Sequence, residues 1–216
     1  MFVAVLGHDL RSPITTVRVS AASLLRGIGD PEKAAATFDR IRRSADRMTE
    51  MVNQLLDFTR TRLGSGFEIK KQRGEVVAFV QEILADFAVN HPERELVRDF
   101  PESVDADFDA DRLRQAILNL LNNAGAYAPP KTPILTRIAR EPDALSITVE
   151  NGGPPIPEVV RDALFNPFAR ARKSGKSGGL GLGLYIAHEI AKAHGGAVTF
   201  TSDGDATRFT LRLPQG

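Results

Sequence analysis

Between residues 38 and 55 the apolar side chains fall at Phe38, Ile41, Ala45, Met48, Val52 and Leu55, a strict alternation of three and four residues. That spacing is a heptad seam, and it commits the segment to a helix whose apolar edge must be covered by other helices. Residues 1–26 carry a second stripe, Val3, Leu6, Leu10, Val17, Ala21 and Leu24, with steps of three, four and seven. The stretch GIGDPEK (27–33) between them is built from turn residues. Two antiparallel helices cannot bury both seams alone. A four-helix bundle made by two copies covers them, and a single hairpin lying on the rest of the chain is the alternative.

After RLGSG (62–66), which reads as a short flexible linker, the pattern changes. FEIKKQ reads as a strand and EVVAFVQEILADFAVN as an amphipathic helix. RELVRDF and DADFD read as strands, and DRLRQAILNLLNNAGAYA as a second amphipathic helix. TPILTRIAR and ALSITVEN alternate as a strand pair. LGLYIAHEIAKAHG is a third helix closed by Gly195 and Gly196, and AVTFTS with TRFTLRL forms a last hairpin. This mixed order predicts an α+β sandwich, one sheet with helices on one face. The expected domains are residues 1–63 and 67–216.

Bulk properties exclude several classes of function. A net charge of +1 gives no case for nucleic acid or an anionic membrane surface. The absence of cysteine removes disulfides and thiolate chemistry and fits a reducing, cytoplasmic setting. No apolar run approaches the roughly 18 residues of a membrane span. The chain starts seven residues before His8, and the expectation is that it is the C-terminal part of something longer, whose sensor could be membrane-bound or soluble.

LGHDLRSP (6–13) places His8 beside Asp9, with Ser12 one turn on and Pro13 after it. At about 100° per residue, His8 lies roughly 170° from the apolar stripe and faces water, with Ser12 on the same face. Pro13 removes an amide and should bend the helix beyond His8. An exposed imidazole can attack through one ring nitrogen while a neighbouring carboxylate, here Asp9, holds the proton of the other. A merely solvated histidine fits the same pattern.

Three more stretches carry chemistry together. ILNLLNNA (117–124) sets Asn119 and Asn123 four apart on one helical face, where amide N–H₂ groups suit phosphate oxygens and amide oxygens suit a hard cation such as Mg²⁺. Tyr127, one turn further, could lie against an adenine ring. VENGGPPIP (149–157) runs a strand into a Gly/Pro turn, with Asn151 able to bond adenine and Gly153 allowing close approach. GGLGLGLYIA (178–187) alternates Gly179, Gly181 and Gly183 with leucines directly before a helix, whose N-terminal amides suit phosphate. Upstream, ARARKSGKSG (169–178) is a basic, glycine-containing segment with Arg170 available to a terminal phosphate. Each stretch alone also reads as ordinary helix surface, turn or solvated loop, and no P-loop spacing is present.

Taken in order, these stretches closely resemble the catalytic core of a bacterial two-component sensor histidine kinase. GHDLRSPI resembles the phospho-acceptor box and LRQAILNLLNNAGAY the asparagine-rich box. VENGGPPIP, LFNPF (164–168), GGLGLGL and GDATRFTLRLP resemble the first glycine, phenylalanine, second glycine and last glycine boxes. The resemblance covers almost the whole chain. It implies a dimeric four-helix bundle of helical hairpins followed by an α+β two-layer sandwich of the histidine kinase/gyrase-type ATPase class. It implies ATP and Mg²⁺ as cofactors, a homodimer, and the receiver domain of a response regulator as partner, with no nucleic acid and no membrane contact by this segment. His8 would be the phosphorylated nucleophile and Asp9 its general base; Ser12, on the same face as His8, could orient a water or a partner's carboxylate. Asn123 would hold Mg²⁺, with Asn119 and Tyr127 near phosphates and adenosine. Asn151, Gly153, Ile156 and Thr207 would line the adenine side. Arg170, Gly179, Gly181, Leu182 and Gly183 would serve the phosphate side.

The sequence departs from the family pattern at several places. Asn151 stands where aspartate is usual, which costs the charge that strengthens an adenine bond, ~1–2 kcal/mol. Pro155 replaces a glycine, Ala126 a frequent lysine, and Ser12 a threonine or asparagine, which leaves phosphatase activity open. The competing readings are a catalytically weakened dimeric scaffold that docks a response regulator, and a plain ATPase or chaperone of the same fold class. The histidine box argues against the last. His91, His188 and His194 have no such setting and read as structural or solvated.

Overall fold

The structure, a computed structural model, describes residues 2–26, 30–64, 66–169 and 180–215, without the side chains of residues 2–6 and 8. The chain divides into two compact units: residues up to Thr59, together with Leu180, form the first, and residues from Arg60 onward otherwise form the second. Among the described residues no helix is long and apolar enough to cross a membrane.

The first unit is helical. Helix α1 spans Phe2–Leu25 and runs on through Pro13. Helix α2 spans Pro31–Arg62, so residues 31–33 of the expected turn already belong to the helix. The reason is local. The Asp30 carboxylate accepts from the Glu32 N–H at 3.0 Å, which caps the helix, and Pro31 sits where no amide is needed. On α2 the buried positions are Thr37, Ser44 and Met51, seven apart, and Asp57, with Ile41, Met48 and Leu55 half-buried beside them. The other half of the expected seam stays open. Phe38 is 62% exposed and Val52 49%, with Ala45 exposed between them.

The second unit holds a five-stranded sheet and a separate two-stranded ribbon. The ribbon pairs β1 (Gln72–Glu75) with β3 (Asp105–Phe108). The expected strand at FEIKKQ therefore lies later than the alternation suggested, and residues 66–71 belong to no strand. Their apolar residues are used differently: Phe67 is buried under the Arg112 guanidinium, 4.6 Å from its ring centre, and the Lys70 N–H bonds Asp109 at 2.8 Å. Glu75 ends β1 and caps helix α3 (Val76–Asn90), accepting from the Val77 and Ala78 N–H groups and from Val104.

The main sheet runs β2 (Leu96–Asp99), β4 (Ile134–Arg140), β5 (Ala144–Gly152), β7 (Ala206–Pro214), β6 (Ala197–Asp203). The β2–β4 pair is parallel and the others antiparallel. In β7 the burial alternates strictly, with Thr207, Phe209, Leu211 and Leu213 turned inward, as a sheet with one covered face requires. Helices α3, α4 (Ala110–Tyr127) and α6 (Gly183–Ala193) supply the covering layer, with Leu113, Ile117, Leu120, Leu121, Ile186 and Ile190 fully buried. A one-turn helix α5 (Glu158–Arg161), too short for a periodic signal, follows the Gly/Pro turn.

Helices α4 and α6 are the most closely apposed helix pair of this unit, and a buried histidine ties them. His194 at the end of α6 directs Nδ1 at the Ile190 carbonyl (2.9 Å), and its Nε2 accepts from the Asp109 N–H (3.2 Å). Burial holds its pKa below the usual 6.5. His188 is stacked on Phe165 with ring centres 5.0 Å apart, and burial likewise lowers its pKa. Both act as structural residues.

Candidate functional site

Helix α4 aligns three of the expected residues along its length. Asn119 is buried, Asn123 is half-buried one turn on, and Tyr127 is 42% exposed at the last turn. Nδ2 of Asn119 is buried and, among the described residues, has no hydrogen-bond partner. A buried amide N–H₂ with nothing to bond costs about 1–3 kcal/mol unless a bound group completes it. Among the described residues the Asn123 amide also makes no hydrogen bond, so its oxygen is open to a ligand.

The start of α6 lies against this helix. A β-carbon placed on Gly183 would sit 3.2 Å from Oδ1 of Asn119. Leu182 is the residue before the helix and gives no side-chain cap, so among the described residues the start of α6 carries no capping side chain. Gly181 has φ +71°, a conformation that favours glycine, and its carbonyl accepts from the Phe168 N–H at 2.9 Å. An uncapped helix N-terminus beside an unpartnered amide donor can bind an anion such as phosphate.

The second half of the site lies at the end of β5. Asn151 is buried, and it pairs in register with Ile134 on one side and Thr207 on the other. Its Nδ2 donates to the Gly152 carbonyl at 2.9 Å. A carbonyl can only accept, so this bond fixes the amide orientation and leaves Oδ1 as the group open to a ligand. Thr207 shares a hydrogen bond with Ser202 at 2.9 Å, and Ser202 accepts from the Ile156 N–H at 2.8 Å. Arg161 adds a bond from Nε to the Ile156 carbonyl at 3.0 Å. Ser202 and Arg161 were not legible as site residues in the sequence. Ser202 lies on β6, outside every motif, and only sheet pairing brings it to Thr207.

Gly153 has φ +136°, and a β-carbon there would meet Pro129 Cδ at 3.2 Å and the Tyr127 carbonyl at 3.4 Å. The close approach that requires glycine is therefore made by the chain itself, between the β5 end and the residues following α4. That packing joins the two halves of the site, since Tyr127 belongs to the helix of Asn119 and Asn123.

In the first unit His8 lies on α1, with its side chain outside the described residues. Asp9 is buried, Ser12 is exposed, and the Ser12 carbonyl accepts from the Thr16 hydroxyl at 3.1 Å. Arg170 and Gly179 lie outside the described residues.

Residues 108–216 match the family model of histidine kinase-, DNA gyrase B- and HSP90-like ATPases, and residues 1–64 match that of the His kinase A (phospho-acceptor) domain. Among curated proteins the chain is 34% identical over 217 residues to a probable sensor histidine kinase, TcrY, of Mycobacterium tuberculosis, covering 99% of this chain and 45% of that protein. The chain spans less than half the length of the first curated relatives it matches. Among solved structures, the Acinetobacter baumannii histidine kinase AdeS superposes with a TM-score of 0.73 at 22% identity, covering 97% of this chain and 98% of that one. Histidine kinase ThkA, solved in complex with the response regulator TrrA, gives 0.71 at 21% identity over 99% of this chain and 61% of that chain. These structural likenesses concern the fold.

Proposed function

Because the chain belongs to the family of histidine kinase-, DNA gyrase B- and HSP90-like ATPases and carries a His kinase A phospho-acceptor domain ahead of it, we propose that it transfers the γ-phosphoryl group of ATP to His8 and then to an aspartate of a response-regulator receiver domain. The observation that carries this reading is the buried, unpartnered Nδ2 of Asn119 beside the uncapped start of α6. An amide donor and free helix N–H groups together form a polar cradle for phosphate oxygens.

In this proposal Asn151 accepts from the exocyclic amine of adenine through Oδ1, with Gly153, Ile156 and Thr207 shaping that end. Tyr127 lies along the base. Asn119, Gly181, Leu182 and Gly183 meet the phosphates, joined by Arg170 and Gly179. The Asn123 oxygen would hold Mg²⁺, which would offset phosphate charge. His8 accepts the phosphoryl group, Asp9 takes the proton from the other ring nitrogen, and Ser12 orients a water or a carboxylate of the receiver partner. Two copies pair through the exposed half of the α2 seam, Phe38, Ala45 and Val52. A cytoplasmic setting belongs to the same proposal, because ATP and receiver domains are found there.

Incubation with γ-labelled ATP and Mg²⁺ tests the reading. The expected product is a base-stable, acid-labile phosphoprotein that is lost in His8→Ala and delivers its label to a receiver domain. A folded chain that binds nucleotide and stays unlabelled overturns it.

A further inference from the structure

Arg94 lies in the HPERE segment between α3 and β2, outside every motif that points to the site. Its side chain is only 12% exposed. Nη1 donates to the Pro129 carbonyl at 2.7 Å, and Nη2 donates to the carbonyls of Gly125 at 2.8 Å and Ala128 at 3.1 Å. One guanidinium thus gathers carbonyls at and just beyond the C-terminal end of α4. The last carbonyls of a helix lack intrahelical donors, and the helix dipole makes that end favourable to a cation. The planar guanidinium suits this task, because it aims several N–H groups at fixed directions.

The gathered turn is the one that carries the site. Tyr127 lies inside it, and Asn123 is one turn before it. Pro129 and the Tyr127 carbonyl are the atoms packed on Gly153, and the Pro129 carbonyl also accepts from the Thr132 hydroxyl at 2.8 Å. Thr132 in turn lies 3.7 Å from a β-carbon placed on Gly152. Arg94 therefore fixes the segment that seats the end of α4 against the end of β5.

We infer that Arg94 is a positioning residue for the nucleotide site: it sets the distance between Tyr127 on α4 and the Asn151–Gly153 end of β5, and so tunes nucleotide affinity without touching nucleotide. The inference rests on the proposed assignment of that site to a nucleotide. Arg94 has no path to the phosphoryl group in flight, so its loss acts on binding and leaves the transfer step at saturating ATP nearly unchanged.

The test uses the full chain with Arg94→Met, which keeps the aliphatic stem, and Arg94→Lys, which keeps the charge but loses the fork. Calorimetric ADP affinity, KM and kcat for labelling by ATP, and the melting temperature without nucleotide are measured for each, with titrations well below every melting temperature. The expected result is about a tenfold loss of ADP affinity and a matching rise in KM for Arg94→Met, with kcat within about twofold. Arg94→Lys falls between it and the wild type. If Arg94→Met does not fold, the Lys variant alone is read by the same criteria. A lowered melting temperature with ADP affinity unchanged means a purely structural role and overturns the inference, as does a fall in kcat at unchanged KM. Failure of the wild-type chain to bind ADP removes the nucleotide reading itself, which separates the two outcomes.

Discussion

Oδ1 of Asn119 lies 3.2 Å from the point where a β-carbon on Gly183 would sit. Two helices are packed so closely there that the start of α6 has room for glycine and little more. Alanine at this position would gain up to ~1 kcal/mol of helix propensity and lose a similar amount by pressing on the amide. Gly183→Ala is therefore expected to leave the melting temperature within a few degrees while weakening ADP binding several-fold, because it moves the donor proposed to meet phosphate. Unchanged affinity in calorimetry would remove Asn119 from the phosphate site.

Asn151→Asp separates two effects. The carboxylate gains strength as an acceptor for the adenine amine but loses the bond to the Gly152 carbonyl and places charge beside it. ADP affinity should rise roughly tenfold, and the melting temperature without nucleotide should fall by about 2–4 °C for each kcal/mol lost. A variant that gains neither affinity nor specificity for adenine over guanine nucleotides contradicts the assigned role of this residue.

Folded-state burial of His194 gives a pH dependence with a definite sign. Its pKa is lowered by burial, with nearby Lys71 acting the same way and the Ile190 carbonyl and Asp109 opposing. The unfolded chain therefore takes up the proton first as pH falls. The stability contributed by the neutral ring is complete above about pH 6.5 and is lost progressively as pH falls through that value toward the lower folded pKa. His188 is depressed by burial too and adds to the loss in the same range. Denaturant unfolding between about pH 8 and about pH 5.5 should show this decline, and His194→Gln should be less stable at the upper end but lose less on acidification. An equally steep decline in the variant would show that another group governs it.

The glycine pair closing α6 is unequal. A β-carbon on Gly196 would overlap the Arg212 carbonyl on β7. Gly196→Ala should cost ~3 kcal/mol or more, visible as a large shift in the urea midpoint. Gly7→Ala, where nothing among the described residues lies within 4 Å, should be neutral or stabilising by up to ~1 kcal/mol.

Phe38 and Val52 face outward on α2, with 62% and 49% of their surface exposed. Phe38→Glu with Val52→Lys should convert the proposed dimer to a monomer in sedimentation equilibrium and leave the sheet unit folded. A wild-type chain that sediments as a monomer at tens of micromolar would leave the exposed half-seam without its proposed occupant.

Much of the fold was legible because its signals are local. The helices at 76–90, 110–127 and 183–193 follow from periodicity, and the pairing of β4 with β5 and of β6 with β7 follows from alternation across short turns. The strand expected at FEIKKQ was displaced because alternation alone does not say whether a partner strand stands beside it. The partner here, Asp105–Phe108, matches Gln72–Glu75 instead, where Glu75 anchors both the ribbon and α3. One-turn α5 lacked the length to show a period.

The sequence by itself determined which residue types could bind a nucleotide and accept a phosphoryl group, because motif spacing places Asn119, Asn123 and Tyr127 on one helix face and glycines before the next helix. It also determined that one helical edge needs covering from outside the hairpin. Only the tertiary structure decided how Asn151 turns its amide, why Gly153 must be glycine, and that Ser202, Arg161 and Arg94 support the site. Those properties depend on contacts between residues far apart in the chain, where the chain must satisfy buried hydrogen-bonding groups with whatever side chains the packed layers bring near.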